Sequence, residues 1–171
     1  MDGEPFDIYD ADRKLTSRTG RRGEPPLPPG DYFLVVHVWI MNSQGKYLIT
    51  QRASEKKHFP RLWEAPGGGV LTGESSLAAA LREAEEETGI ILRPGTGVFF
   101  KTWHRPGSFA DIWLFRQDIS LDHLVLRPGE TMDARLAGPD EILAMAQAGE
   151  FFPNAYMEEM FLFADTLARE D

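Results

Sequence analysis

Residues 68–90 read GGVLTGESSLAAALREAEEETGI and place Gly68, Glu74, Arg82, Glu83, Glu86, Glu87 and Gly89 in the order G-x5-E-x7-R-E-x-x-E-E-x-G. At ordinary residue frequencies such a set of specified positions arises by chance at roughly one in 10^8 starting sites, so the spacing is a signal. From Ser76 to Thr88 the Ala and Leu content favours helix, the serines suit an N-cap, and Gly89 stands where a left-handed C-terminal residue belongs. The segment predicts one helix. Leu77, Leu81, Ala84 and Thr88 recur at helical spacing and form an inward stripe, which leaves Glu83, Glu86 and Glu87 together on another face.

Like charges three and four positions apart on a helix repel by a few tenths of a kcal/mol per pair. An acidic run by itself is usually a solvated helix face. Here the flanking glycines, Glu74 and Arg82 fall at fixed spacings around it, and a carboxylate-only set suits a hard divalent cation, Mg2+ or Mn2+. Arg82 is placed to reach Glu74 or a neighbouring glutamate and fix its rotamer. Pro66-Gly67-Gly68-Gly69, read as a loop, allows the backbone to approach a ligand closely.

The chain has 171 residues, which suits one domain with a full core, and a formal net charge of -9, which disfavours duplex nucleic acid as a partner. It has no cysteine, so disulfides, thiolate chemistry and Cys-based zinc sites are excluded. No run approaches the roughly 18 apolar residues that cross a bilayer, so a cytoplasmic protein with no membrane partner is expected. Residues 1–31 are expected to form an N-terminal β-hairpin (FDIYD and KLTSRT) followed by a Pro/Gly-rich connector, with the main domain spanning 32–171.

In that domain Phe33 to Met41 is almost continuously apolar and predicts a strand covered on both faces, pairing back with residues 46–52 as a hairpin. Strands are expected at 97–104 and 109–117, a weaker one at 134–137, and helices at 139–149 and 155–169. Strands around a central helix with further helices appended indicate an α/β layered sandwich.

The spaced box resembles that of the Nudix hydrolases, with Ala84 where a bulky aliphatic is usual. The resemblance extends over nearly the whole chain, through the hairpin, Lys56-Lys57, Phe59-Pro60 and Trp63, and looks most like the branch related to isopentenyl diphosphate isomerase. It implies a Nudix-type α/β/α sandwich with a mixed sheet. By the same alignment the isomerase cysteine falls at Gly67 and its metal-binding histidines near Phe33 and at Gly69, so hydrolase residues are kept where isomerase residues are missing. An isomerase-like enzyme and a non-catalytic nucleotide-sensing module are the alternatives.

The resemblance implies Mg2+-dependent hydrolysis of a nucleoside diphosphate linked to another moiety, with Mn2+ as a substitute ion. It assigns the metal to Glu83, Glu86, Glu87 and the carbonyl of Gly67, and an orienting role to Glu74 and Arg82, between the structural glycines Gly68 and Gly89. The general base lies either in the box or at Glu130, which matches a loop glutamate of many relatives; Glu64 is a further metal candidate. Trp103, Phe109 and Trp113 are candidates for stacking on a nucleobase, beside His104, and Lys57 with Lys56 for facing phosphate. For any one of these aromatics, core packing is the ordinary alternative, and His37 and Trp39 sit in an apolar strand that suits buried side chains. Phe6, Ile8, Tyr9 and Leu15 give the hairpin an apolar face that needs cover, as a homodimer contact, as a lid, or on its own core.

Overall fold

The computed structural model describes residues 3–169. It runs β1 (Pro5–Tyr9), β2 (Leu15–Arg21), β3 (Phe33–Met41), β4 (Tyr47–Arg52), β5 (Trp63–Glu64), β6 (Gly67–Gly69), α1 (Ser76–Thr88), β7 (Gly97–Arg105), β8 (Ser108–Arg116), β9 (Thr131–Ala137), α2 (Pro139–Gln147) and α3 (Met157–Arg169). The large sheet has the order β5-β4-β3-β8-β7, with β6 pairing β3 and β9 pairing β4. It is mixed: β3 and β8 run parallel from Phe33↔Ser108 to Met41↔Arg116, and β7 returns antiparallel along β8.

Strand alternation sorts the core into two layers. Leu34, Val36, Val38 and Ile40 of β3 join Phe109 and Phe115 of β8 beneath Ala79, Ala80 and Ala84 of α1. Trp39 and Met41 face the other way with Ala110, Ile112 and Leu114, against Ile142 of α2 and Met160 and Phe161 of α3. One helix on one face and two on the other make an α/β/α sandwich. Among the described residues no helix is long and apolar enough to cross a membrane.

Three local expectations are corrected. β3 and β4 do not form an extended hairpin; they share the pair Met41↔Tyr47, and β4 pairs instead with β9 from Tyr47↔Ala137 to Arg52↔Thr131. The edge of β3 that β4 would have used is taken by β6, so the two strands splay after their turn. Gly67–Gly69, expected as a loop, is that strand, and a Cβ on Gly67 would lie 2.2 Å from the Val36 carbonyl oxygen. The inward face of α1 is also rotated: Ala79, Ala80, Glu83, Ala84 and Thr88 are buried, while Leu77 and Leu81 are partly so. Ala84, in an aliphatic's place, is fully buried in the layer between α1 and the sheet.

The N-terminal hairpin rests on its own chain. Phe6 packs on Phe33, Tyr9 meets the edge of Phe109, Ile8 is buried, and Tyr9 and Tyr32 exchange backbone hydrogen bonds. Its apolar face is thus largely covered within the chain, which removes that face as a reason to expect a homodimer; Leu15 stays exposed. Arg13, in the hairpin turn, donates to the buried carboxylate of Asp111 on β8 at 2.5 Å. Arg13→Met is expected to lower stability by about 1–3 kcal/mol, because it takes the charged partner from a buried carboxylate and leaves it the Thr102 hydroxyl. An unchanged denaturant midpoint would remove this tether.

Candidate active site

Local sequence sets the ends of α1. The Ser75 hydroxyl accepts from the Ala78 amide at 3.1 Å, and Gly89 adopts φ 74°, the left-handed conformation that ends the helix. Between these caps α1 carries Arg82, Glu83, Glu86 and Glu87 along the edge of β6.

Arg82 is the hub of the cluster. It forks onto Glu74 with Nε to Oε1 at 2.8 Å and Nη2 to Oε2 at 2.9 Å, and gives further bonds to Glu83 at 2.8 Å and the Gly69 carbonyl at 2.9 Å. Glu86 receives a longer contact from Arg82 at 3.4 Å and one from Arg127 at 3.2 Å. The bond to Glu74 is the chief cause that raises the guanidinium pKa of Arg82, so it is a permanent cation. Burial would raise Glu74, but Arg82 and the Leu71 amide outweigh it and hold that carboxyl below its usual range.

The remaining carboxylates are held less comfortably. Burial pushes Glu83 up against the opposing pull of Arg82. Glu87 is pushed up to about 8, first by burial and then by the charges of Glu64 and Glu83, with the Gly67 amide at 3.3 Å offsetting part of this. Glu64 is raised by burial against its ion pair with Arg52 at 2.9 Å.

Gly68 makes room for the Glu83 carboxylate: a Cβ there would come within 2.3 Å of Glu83 Oε1. A partly buried carboxylate group held at raised pKa values, beside a backbone without side chains, fits a divalent cation as the missing counter-charge. Among the described residues no three acidic or histidine side chains are gathered in ligating geometry; Glu83 is ion-paired with Arg82, and Glu86 with Arg82 and Arg127.

These groups line one cleft of about 580 Å3. Its lining combines Gly67, Gly68 and the carboxylates of Glu4, Glu64, Glu83, Glu86, Glu87 and Glu130 with the cations Arg22, Arg52, Lys56 and Arg127. Glu130 is half-exposed and ion-paired with Lys56. Lys57 is exposed and does not line the cleft; Lys56 takes the place considered for the pair.

The aromatic candidates do not form one stacking platform. Phe109 is fully buried under α1, stacked on Tyr32, and Trp113 lies on that same face with its indole N–H on the Ser76 hydroxyl. Trp103 lies on the opposite face, edge-on to Tyr156. Strand alternation separates them, and His104 packs edge-on to Phe109.

Arg22 and Arg127 were missed from sequence because they come from remote segments with no pattern of their own. Arg22, at the end of the hairpin, reaches the place where a side chain on Gly69 would stand, with Nη2 2.7 Å from that Cβ position. Arg127 hangs from α1 through its amide on the Glu87 carbonyl at 3.3 Å.

Comparison with known proteins gives the family and the fold. The family model described as NUDIX domain matches residues 31–160. An uncharacterized Nudix hydrolase of Listeria monocytogenes is 38% identical over 160 residues, spanning 92% of this chain and 94% of its own length. Among solved structures, a Deinococcus radiodurans protein shares the fold with a TM-score of 0.74 over 98% of both chains at 24% identity. The bifunctional NMN adenylyltransferase/ADP ribose pyrophosphatase of Francisella tularensis, solved with AMP and a manganese ion, shares it with a TM-score of 0.62 at 21% identity, over 82% of this chain and 43% of that one. With its spaced glutamate box folded onto one cleft and the family matched across most of its length, this chain belongs to the NUDIX family and is a Nudix hydrolase.

Proposed function

We propose that this enzyme hydrolyses the diphosphate linkage of a nucleoside diphosphate derivative, with Mg2+ or Mn2+ held by Glu83, Glu86, Glu87 and the Gly67 carbonyl. The observation that carries this reading is the cleft itself, which sets four cationic side chains among its glutamates although the whole chain is strongly acidic. Glutamates alone would repel a diphosphate, and cations alone would need no glutamates. Together they suit an anion bridged through a cation. When bound, the divalent ion neutralises phosphate charge and acidifies water.

The chain's own groups then have separate tasks. Arg52, Lys56, Arg127 and Arg22 hold the phosphate oxygens and offset the charge that develops on them. Arg82 locks Glu74 and orients Glu83, and Glu64 adds a carboxylate beside the cation site. Glu130, ion-paired with Lys56 at the cleft, takes the proton from a water that attacks phosphorus in line, while the bond from that phosphorus to the bridging oxygen breaks and the second phosphate leaves with it.

A panel of nucleoside di- and triphosphates, nucleotide sugars, dinucleoside polyphosphates and coenzyme pyrophosphates, incubated with Mg2+ and resolved by chromatography of the nucleotide products, tests the reading. Cleavage of at least one class, lost when a chelator is added, is expected; inertness towards all of them would overturn it. Glu130→Gln is expected to lower kcat by about 10^2-fold with little change in KM. A loss under threefold would return the base to the box helix.

A further inference from the structure

Beside the acidic cleft lies a second hollow of about 190 Å3, lined by Val35, His37, Arg105, Phe152 and Asn154 and sharing Arg52, Glu64, Gly67 and Gly68 with the cleft. It occupies the opposite face of β6, towards α2 and α3. Its volume is below the roughly 300–1,000 Å3 of sites that take a whole drug-sized ligand, so it suits one part of a molecule whose remainder lies in the cleft.

Two of its walls carry hydrogen-bonding groups, one of them a buried acceptor without a protein partner among the described residues. Asn154 has 6% exposure, and its Oδ1 is the buried side-chain polar atom left without a partner among the described residues. An unpaired buried acceptor destabilises a folded chain, and such groups in native proteins mark functional positions. His37 supplies the second group. The Trp39 indole N–H donates to the Tyr156 hydroxyl at 3.1 Å, and that hydroxyl lies 2.6 Å from His37 Nδ1.

The Trp39 N–H, the Tyr156 hydroxyl and His37 Nδ1 are all paired when Tyr156 donates to Nδ1, which leaves the imidazole proton on Nε2. Flat surfaces complete the hollow: the Phe152 ring, and the Arg105 guanidinium 5.9 Å from its centroid and 5.6 Å from that of Trp103.

We propose that this hollow is the base-recognition subsite of the enzyme and selects a nucleobase with an exocyclic amino group beside a ring nitrogen acceptor, as in adenine and cytosine, the amino group donating to Asn154 Oδ1 and the ring nitrogen accepting from His37 Nε2–H. The orientation follows from chemistry: the amide oxygen of Asn154 only accepts and so meets the amino group, while an imidazole N–H donates and so meets the ring nitrogen. A keto base would set its oxygen against Asn154 Oδ1, acceptor against acceptor. Adjacency through Gly67 and Gly68 lets one ligand place its base here and its diphosphate in the cleft, so the inference rests on the function proposed above.

Calorimetric titration of the metal-free protein with AMP, CMP, IMP, UMP and ribose 5-phosphate tests the subsite without any hydrolysis. AMP and CMP are expected to bind about tenfold or more tighter than IMP and UMP, and ribose 5-phosphate weakest of all. Asn154→Leu is expected to bring the amino-to-keto ratio close to one, and Asn154→Asp, which keeps an acceptor, to retain it. A merely structural asparagine would weaken all the ligands alike.

Equal binding of amino and keto nucleotides by the native protein, or ribose 5-phosphate binding as tightly as AMP, overturns the proposal without reliance on any variant. A ratio that survives in folded Asn154→Leu overturns the role of Asn154. Selective binding with no diphosphate cleaved would sink the proposed reaction and leave this subsite standing, whereas cleavage without base selectivity would do the reverse.

Discussion

Glu86→Gln is expected to lower kcat by on the order of 10^3-fold or more, while the melting temperature of the metal-free protein stays level or rises slightly. The two halves of this result come from different properties of one side chain. A cation that stabilises developing phosphate charge contributes several kcal/mol to the transition state, and each 1.36 kcal/mol is tenfold in rate. An amide oxygen is a poorer ligand for a hard cation than a carboxylate, so much of that contribution is lost.

Stability responds otherwise because Glu86 is exposed. Its contacts, with Arg82 at 3.4 Å and Arg127 at 3.2 Å, are of the surface kind that is worth little, and the change relieves its repulsion with Glu83 one turn away. Steady-state kinetics at saturating Mg2+, paired with thermal melts, checks both halves. A kcat within threefold of the native value would remove Glu86 from the cation site, and a large fall in melting temperature would show that the exposed contacts matter more than their geometry implies.

How far the sequence led depends on where each signal resides. The α1 segment was legible because its information is local: helix formers, a capping serine and a terminal glycine act within a few residues of one another, and the box spacing brings Glu74 and Arg82 into one reading. The depth of Glu83 was not legible. Its burial depends on β6 passing close to α1, and β6 is three glycines, which carry no hydrophobic pattern to announce a strand.

The splay of β3 from β4 was hidden for the same reason, since the competitor for that edge was the unannounced strand. Trp103, Phe109 and Trp113 are close in sequence and invited a single stacking site, but β7 and β8 present successive residues to opposite layers. Arg22, Arg127 and Asn154 reach the site from separate segments, and only the fold brings them there.

The two neighbouring glycines of β6 are expected to fail in different ways when each is changed to alanine. At Gly67 the added methyl would sit 2.2 Å from the Val36 carbonyl oxygen and 3.3 Å from the His37 Cα, both backbone atoms of the central strand. Neither can rotate away, so β6 must lift from β3. Overpacking of this kind costs about 3 kcal/mol, or roughly 6–12 °C in melting temperature for a domain of this size.

At Gly68 the nearest atoms are the carboxylate of Glu83, with Oε1 at 2.3 Å and Cδ at 2.4 Å, the far end of a side chain that can swing aside. The fold should therefore tolerate Gly68→Ala with a change of only about 1 kcal/mol, of the size usual for a single substitution. The chemistry should not tolerate it, because Glu83 leaves its place beside Arg82 and the cation site, and a misplacement of about 1 Å is enough for a 10^2-fold loss of rate. Melting curves and kcat/KM on both variants separate the two mechanisms: a Gly68→Ala enzyme of native activity would show that Glu83 need not hold its position, and a Gly67→Ala protein of native stability would show that β6 can yield without loss.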